Sequence, residues 1–369
     1  MKVAYYAPLP PARTGVADYA AALLAALRRH GSVEPRARQS RHPDIALYHL
    51  GNNGLHREIY RRALAEPGVV VLHDAVLHHF FLGALDRQSY IAEFVYNYGE
   101  WHRALAEDLW RGRASSAFDR RYFDYPMLKR IAERSRAVVV HNPAAARMVR
   151  EHAPGAAVVE IPHLFAAPDL PAGWEVIRMR QSLGVSTHEF LFGVFGYLRE
   201  SKRLFAVLRV FDRLRQTRPD ARLLIAGPFV SSDLARAAAP LLRAPGIVRL
   251  PYLPERDFWR AALAADACIN LRYPAAGETS GIAIRMMGIS KPVLLTRGAE
   301  NSRYPQTACL RVEPGLAEEE SLWRSMFLLT SVRECAGEIG LRASGHIVER
   351  HQAVQIAEQY WDTLCAFRQ

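Results

Sequence analysis

Short apolar runs and longer amphipathic stretches alternate along the whole chain. Each run is too short for a helix and is followed by turn residues, which predicts a buried strand. The runs of the first half occupy residues 3–7, 45–48, 69–72, 137–141 and 158–162. Those of the second half occupy residues 190–195, 222–227, 248–253, 267–271 and 292–295. Between the runs, apolar residues recur at helical spacing, so the alternation predicts an α/β chain with parallel sheets.

The pattern breaks around residues 164–184, where Pro, Gly and Ala crowd together. A chain of 369 residues exceeds one typical domain, and two domains of roughly 150–190 residues are the natural expectation. We therefore place a linker at 169–183, between two doubly wound α/β domains at 1–168 and 184–350. An amphipathic helix is predicted over 347–367.

The composition limits the partners rather than the fold. The hydrophobic content of 50% supports full cores, and the formal net charge is +11. A basic balance suits anionic substrates, an anionic membrane surface or nucleic acid, but the basic residues are spread along the chain without a long block. The four cysteines lie far apart without metal-ligand spacing, which is typical of reduced thiols in a cytosolic protein. The N-terminus predicts a strand rather than a signal peptide, and no apolar run approaches the roughly 18 residues of a membrane span.

The most informative stretch is the loop Gly277–Gly281, which lies between the strand at 267–271 and a helical pattern. Its glycines allow a sharp turn and a close backbone approach to a ligand, and Thr279 and Ser280 are good helix caps. Free amides at the start of a helix form an anion site. A carboxylate at Glu278 would repel phosphate, so it is better suited to accept hydrogen bonds from a polyol. Together these features suggest a sugar nucleotide, whereas an ordinary capped turn is the structural alternative.

Glycines and cations also follow other predicted strands. The first strand leads through a loop with Gly15 into a helix, which is again a phosphate-type geometry. Asp18 beyond it is a candidate capping residue, with an acceptor ligand as the alternative. The strand at 190–195 leads into Gly196 and a cluster of cations ahead of a helix. These cations are Arg199, Lys202 and Arg203. Because cations oppose the dipole at a helix N-terminus, the cluster predicts an anion site, with solvated surface cations as the alternative.

Residues 273–293 resemble the donor-binding signature of glycosyltransferase family 4, the retaining sugar-nucleotide transferases of the GT-B fold. The signature begins with a Glu and a Gly three residues later, and it ends with Pro-Val on the next strand. The matching residues are Glu278, Gly281, Pro292 and Val293. The family usually has a second Glu, which holds the nucleotide ribose, eight residues after the first. Here Arg285 and Met286 occupy that region, which leaves Glu300 as the ribose candidate.

The resemblance covers nearly the full length and implies further roles. In the family, a Gly-Arg pair and a Lys five residues after the Arg bind the diphosphate. Gly196 and Lys202 match, whereas Tyr197 stands at the Arg position, so Arg199 or Arg203 would substitute. The loop P-L-P-P-x-x-T-G-V-A-D-Y is similar to the opening loop of the same branch.

The same resemblance implies that Gly15 faces the donor phosphates or the acceptor and that His73 contacts the donor sugar. The implied nucleotide-binding residues are Gly196, Gly227, Tyr252 and Leu253. Domain 1–168 would bind the acceptor, with room in the aromatic helical region 86–134, and a C-terminal helix at about 352–369 would cross back onto it. Domain 184–350 would bind the donor.

The expected fold class is therefore α/β of the GT-B type, with two Rossmann-like domains facing each other across a cleft. The expected function is retaining transfer of a sugar from a UDP- or GDP-linked donor to a glycan, a lipid-linked or a small-molecule acceptor. Glu278, His73 and Lys202 would be catalytic. The residues expected to bind the donor phosphates are Gly15, Arg199, Lys202, Arg203, Thr279, Ser280 and Gly281. No cofactor and no metal are expected, since a metal site at Asp74 and His78 lacks a third spaced ligand.

Two alternatives stay open. The missing second Glu allows a protein that binds a sugar nucleotide without transferring the sugar. The charge alone would allow a nucleic-acid binder, but the chain lacks a recognised nucleic-acid-binding motif, so nucleic acid is not an expected partner. The expected location is the cytoplasm, and the positive charge permits peripheral contact with the inner membrane face. The sequence does not give the oligomeric state.

Overall fold

The structure is a computed structural model that describes residues 1–35 and 43–368. The chain divides into two compact units. Unit 1 consists of Met1–Ala166, Pro274–Gly281 and His351–Gln369, of which Gln369 lies outside the described residues. Unit 2 consists of Ala167–Tyr273 and Ile282–Arg350.

Unit 1 contains a six-stranded parallel sheet with the strand order β2-β1-β3-β4-β5-β6. Its strands are β1 Lys2–Tyr6, β2 Ser32–Pro35, β3 Ile45–Leu50, β4 Val69–Leu72, β5 Ala137–Val140 and β6 Val158–Glu160. Every residue of β3, β4 and β5 is buried. Both faces of such a central strand are covered, which explains why the sequence shows continuous apolar runs rather than alternation.

Helices cover both faces of this sheet. They are α1 Gly15–Leu27, α2 Arg57–Ala65, α3 His78–Ala84, α4 Arg87–Tyr98, α5 Arg103–Gly112, α6 Arg121–Asp124, α7 Lys129–Arg134, α8 Pro143–His152 and, from the end of the chain, α16 Ala353–Ala366. On one face Val69 and Val71 pack in a core with residues of α1 and α16, including Tyr360. On the other face Val70 and Leu72 pack in a core with residues of α2 to α8.

Unit 2 contains a second six-stranded parallel sheet, with the order β12-β11-β10-β7-β8-β9. Its strands are β7 Phe190–Phe195, β8 Ala221–Ala226, β9 Ile247–Leu250, β10 Ala267–Asn270, β11 Val293–Thr296 and β12 Leu310–Val312. Its helices are α9 Gly173–Ser182, α10 Leu204–Arg215, α11 Ser232–Ala238, α12 Glu255–Ala264, α13 Gly281–Gly288, α14 Glu318–Ser331 and α15 Arg333–Arg350. Phe192, Phe211 and Met326 are fully buried members of its core.

All ten strands predicted from apolar runs are present, and the order of elements in both halves is confirmed. Two short edge strands were not predicted: β2, with one buried residue, and β12, with two half-buried ones. Both strands are short, with the sequences SVEP and LRV, so neither contains a continuous apolar run. Among the helices of residues 1–35 and 43–368, none is both long and apolar enough to cross a bilayer.

Candidate functional site

Unit 1 holds the loop Pro274–Gly281 against residues that follow two of its own strands. After β4, the Ala75 N–H donates to the Ala276 carbonyl at 2.8 Å. After β5, Asn142 Nδ2 donates to the Gly277 carbonyl at 2.9 Å. Gly277 has a φ of +69°, and a Cβ at this position would lie 2.7 Å from the Ala75 Cβ. Only glycine fits such a backbone at such a short distance, so contacts inside unit 1 fix the shape of the loop.

The same loop leads directly into α13, which gives the predicted strand-loop-helix arrangement. Asn142 Nδ2 also donates to Thr279 Oγ1 at 3.0 Å. The Glu278 carboxylate accepts the N–H of Ala276 at 2.6 Å, so it bonds to its own loop. Ser280 is buried and Gly281 is the first residue of α13. The predicted residues 278–281 thus lie in unit 1, at the start of α13.

Histidines surround Tyr19 of α1 at the carboxyl ends of the strands of unit 1. The ring centroid of Tyr19 lies 4.8 Å from that of His73, 5.1 Å from His141 and 4.7 Å from His163. Burial, strengthened by the neighbouring His141, lowers the pKa of His73 well below its ordinary value. Burial also lowers the pKa of His49 and of His163. These imidazoles are therefore neutral at pH 7, and His73 acts as a hydrogen-bonding group rather than a charge.

A contact between His49 and His73 determines which nitrogen of each ring carries the proton. His49 Nδ1 lies 2.9 Å from His73 Nε2, so one of the two neutral rings donates to the other. His49 Nε2 is buried and has no partner among the described residues, and a proton there would be a buried N–H without an acceptor. His49 therefore donates through Nδ1, and His73 carries its own proton on Nδ1. This tautomer gives His73 a donor that suits a ligand oxygen.

Gly15 is the first residue of α1, directly after the cap residue Thr14. Thr14 Oγ1 accepts the N–H of Ala17 at 3.0 Å, which is an ordinary N-cap interaction. A Cβ at Gly15 would meet no atom within 4 Å, so the space beside it is open. Asp18 lies in the first turn of α1, where a carboxylate favours the helix dipole. The roles predicted for Gly15 and Asp18 stay predictions.

In unit 2, Lys202 lies buried behind the end of β7. It is only 8% exposed, and its Nζ donates to the carbonyl of Phe195, the last residue of β7. Burial, together with the nearby charges of Arg272 and Arg199, lowers the pKa of Lys202 from 10.5 to about 7. No carboxylate among the described residues pairs with this amine. An ammonium group in such surroundings is stabilised by an anion.

The predicted cations differ in how they are engaged. Arg199 is exposed and lies just before the short helical turn that contains Lys202. Arg203 is paired instead, because its Nε lies 2.8 and 3.0 Å from the two carboxylate oxygens of Glu318. Glu318 is almost fully buried, so this ion pair holds Arg203. Arg272, which follows β10, was not predicted and lies close enough to influence Lys202.

The predicted nucleotide-binding glycines pack against each other in unit 2. Gly196 and Gly227 both have positive φ, +83° and +137°. A Cβ at Gly227 would overlap the Gly196 carbonyl, and a Cβ at Gly196 would lie 3.3 Å from Lys202 Nζ. Glycine at both positions therefore lets the loops after β7 and β8 approach each other beside Lys202. Tyr252, which is 44% exposed, and Leu253 follow β9.

Where the family has its second Glu, the structure places side chains that are buried or already paired. Met286 is fully buried in α13. Arg285 pairs with Glu255 and lies with its guanidinium 4.0 Å from the ring centroid of Phe258. Glu300 lies in a short helical turn after β11, and its role in binding ribose stays a prediction.

The side chains considered for a metal are engaged in hydrogen bonds. Asp74 accepts the N–H of Asn52 at 2.8 Å. Both ring nitrogens of His78 are occupied, by the Tyr125 carbonyl at 3.0 Å and the Tyr90 hydroxyl at 2.7 Å. Across residues 1–35 and 43–368, no group of three or more His, Cys, Asp or Glu is arranged to hold a metal ion.

Three residues that the sequence analysis did not identify lie at or near strand ends: His49 is the residue before the last of β3, Asn142 follows β5 and Arg272 follows β10. The signal that could have found them is a polar residue directly at the carboxyl end of a buried apolar run, where ligand groups of parallel sheets stand.

No protein-family model matches the sequence, and no curated protein sequence matches it either. Solved structures do match over nearly the full length. Sucrose-phosphate synthase from Thermosynechococcus elongatus is 13% identical, with a TM-score of 0.67, and 99% of this chain and 98% of that chain are covered. HepE of Anabaena, in complex with UDP and glucose, is 13% identical with a TM-score of 0.64, and 99% of each chain is covered. WaaG, a glycosyltransferase involved in lipopolysaccharide biosynthesis, is 13% identical with a TM-score of 0.61, and 98% and 99% are covered.

These similarities concern the fold. Two parallel six-stranded sheets with surrounding helices match the GT-B glycosyltransferase fold, so an α/β fold of the GT-B type is confirmed. Membership of family 4 stays a prediction.

Proposed function

We propose that this protein is a retaining glycosyltransferase of family 4 that moves a sugar from a UDP- or GDP-linked donor to an acceptor. The fold supports the proposal, because HepE shares it in a complex with UDP and glucose, and WaaG is a glycosyltransferase. The positions at strand ends where polar groups gather are those that bind ligands in parallel α/β sheets.

The observation that carries the proposal is the state of Lys202. Its amine is buried, bonds to a carbonyl and is flanked by the positive charges of Arg199 and Arg272, with no carboxylate among the described residues to neutralise it. A purely structural lysine would not be placed like this, because burying an unpaired charge is costly. A diphosphate supplies the missing negative charge, and its binding would raise the pKa of the amine.

In the proposed reaction, the bond between the sugar and the donor phosphate breaks while the acceptor oxygen attacks from the same face. The acceptor proton passes to the departing phosphate oxygen, so no protein base and no metal are required. Lys202, Arg199 and the amides of residues 279–281 would stabilise the charge that develops on the diphosphate. One preorganised donor of this kind typically contributes about 2.7–4 kcal/mol. Glu278 would accept hydrogen bonds from sugar hydroxyls, and His73 Nδ1 would donate to a sugar oxygen.

The test compares two lysines of unit 2, of which Lys202 is buried and Lys291 half-buried. Lys291 Nζ also donates to a main-chain carbonyl, that of Leu263 at 2.9 Å, and burial lowers its pKa as well. Unlike Lys202, however, Lys291 has a carboxylate nearby, that of Asp266, which favours its charged form. Titration calorimetry with UDP-glucose and with a GDP-linked sugar would identify the donor for the wild type. We expect Lys202→Met to weaken that binding by about 100-fold, a loss comparable to one charge-assisted hydrogen bond. Lys291→Met should bind as tightly as the wild type.

Failure of both sugar nucleotides to bind, or equal binding by wild type and Lys202→Met, would refute the proposed function. Binding without slow release of the nucleotide from its sugar would favour the second candidate, a sugar-nucleotide binder without transfer. That candidate rests on Met286, which stands buried where the family has its second Glu. A lipid-linked acceptor and contact with a membrane face remain proposals that follow from the charge of +11.

A further inference from the structure

The side chain of Asn142 is fixed in one orientation by bonds on both of its ends. It follows β5 and caps α8, where its Oδ1 accepts the N–H of Ala145 at 2.9 Å. A main-chain N–H can only donate, so the oxygen of the amide must face α8. The nitrogen therefore faces the loop, and it donates to the Gly277 carbonyl at 2.9 Å and to Thr279 Oγ1 at 3.0 Å. At 2% exposure the group has no space to turn over.

These bonds decide what the Thr279 hydroxyl can do. A hydroxyl can both donate and accept, but Oγ1 of Thr279 already accepts one N–H of Asn142. Both N–H bonds of the Asn142 amide are directed at the loop, so the Thr279 hydroxyl cannot donate its own proton to that nitrogen. Within the described residues, no further hydrogen bond of this hydroxyl is found, and the side chain is partly exposed. The proton is thus left to an oxygen from outside the protein.

We propose that Asn142 is a positioning residue that holds the loop Pro274–Gly281 and turns the Thr279 hydroxyl into a dedicated hydrogen-bond donor for a phosphate oxygen. The inference rests on the proposed function, because the phosphate is that of the sugar-nucleotide donor. Asn142 does not touch the ligand itself. It acts by leaving Thr279 with one hydrogen-bonding role before the ligand arrives, so no reorganisation is needed on binding.

A neutral and a charged replacement of Asn142 distinguish the loss of its hydrogen bonds to the loop from an effect of added charge. Ser at position 142 can still cap α8 but is too short to reach the loop. Asp can also cap, but it cannot donate, and it would draw the Thr279 proton toward itself. Asn53→Asp is the matched control, because Asn53 caps a short helical turn of unit 1 through Leu55 N–H at 3.0 Å and stands outside the loop. It adds the same charge and keeps the same kind of cap.

Calorimetry with UDP-glucose should show about tenfold weaker binding for Asn142→Ser and for Thr279→Val, which is about 1.4 kcal/mol. The double variant should be no weaker than Thr279→Val alone, because Asn142 acts through Thr279. Thr279→Ser, which keeps the hydroxyl, should restore most of the affinity, and Asn53→Asp should match the wild type. If Asn142→Asp weakens binding while Asn142→Ser does not, charge repulsion explains the effect and the inference is overturned. Additive losses in the double variant would overturn it as well.

Hydrogen exchange without any ligand gives a second readout, which separates this inference from the proposed function. In Asn142→Ser the amides of residues 276–281 should exchange faster than in the wild type, while the amides of α8 exchange at the wild-type rate. In Asn53→Asp the amides of both segments should exchange as in the wild type. If the wild type binds no sugar nucleotide, the proposed function fails and this exchange pattern alone decides whether Asn142 holds the loop. If the loop amides of Asn142→Ser exchange as in the wild type, Asn142 does not hold the loop.

Discussion

Replacing Lys202 by Met should stabilise the unliganded protein near pH 6 and change its stability little near pH 9. In the folded protein, burial and the charges of Arg272 and Arg199 lower the pKa of Lys202 from 10.5 to about 7. Below pH 7 the amine is charged in the folded and the unfolded state, so the folded state carries the full cost of burying a charge. As the pH rises from 7 towards 10.5, the folded amine is neutral and this cost falls.

The pKa values give the size of the effect. At about 1.4 kcal/mol per pKa unit, the fall from 10.5 to about 7 corresponds to roughly 5 kcal/mol of lost stability near pH 6. Near pH 9 roughly 2 kcal/mol of this loss remains. Met also removes the bond to the Phe195 carbonyl, which costs about 1–3 kcal/mol for a buried acceptor left unpaired. That cost is the same at both pH values, so the difference of roughly 2–3 kcal/mol isolates the ionisation of Lys202.

Urea titrations at about pH 6 and pH 9, followed by pulse proteolysis with peptides from both units monitored, measure this difference. Lys2→Met is the control, because Lys2 is exposed at the start of β1, and its effect should be the same at both pH values. Equal effects of Lys202→Met at the two pH values would refute the reasoning, because the amine would then not change its charge in this range.

Three further results are expected. Gly277→Ala should destabilise the protein by about 2–4 kcal/mol, since it adds a clash with Ala75 to the cost of a positive φ. Gly315→Ala, at a φ of +79° with no atom within 4 Å of the new Cβ, should lose only about 1–2 kcal/mol in the same urea titration. Long-range ¹H–¹⁵N NMR between pH 5 and pH 8 should show His73 neutral with its proton on Nδ1, and a protonated Nε2 at pH 7 would contradict this assignment. Glu278→Gln should lower the turnover of the donor sugar by about tenfold or more while the affinity for UDP alone changes little, and an equal loss of UDP affinity would move Glu278 from the sugar to the nucleotide.

Much of the fold could be predicted from the sequence, because central strands of a parallel sheet are buried on both faces. The run Val69–Leu72 has to be apolar throughout, and this signal is visible without any structure. The candidate site was harder to predict for a related reason. Arg203 and Arg199 look alike in the sequence, but only the fold brings Glu318, more than a hundred residues away, to Arg203. Likewise an Asn directly before a Pro, as at residues 142 and 143, favours the start of a helix, whereas the bonds of Asn142 to the loop depend on the tertiary structure.

The two units prepare their candidate groups in different ways. In unit 1, burial keeps His73 neutral, and hydrogen bonds from His49 and Asn142 leave His73 and Thr279 as donors without charge. In unit 2, the groups near the glycines are cations, and burial lowers the pKa of Lys202 only to about 7, so that a large fraction stays charged at neutral pH. Uncharged donors distinguish the oxygens of a sugar by direction, whereas cations respond mainly to the charge of a phosphate. The proposed roles follow from this difference: His73 and Thr279 would each select one oxygen, of the sugar and of a phosphate respectively, whereas Lys202 would respond to the charge of the diphosphate.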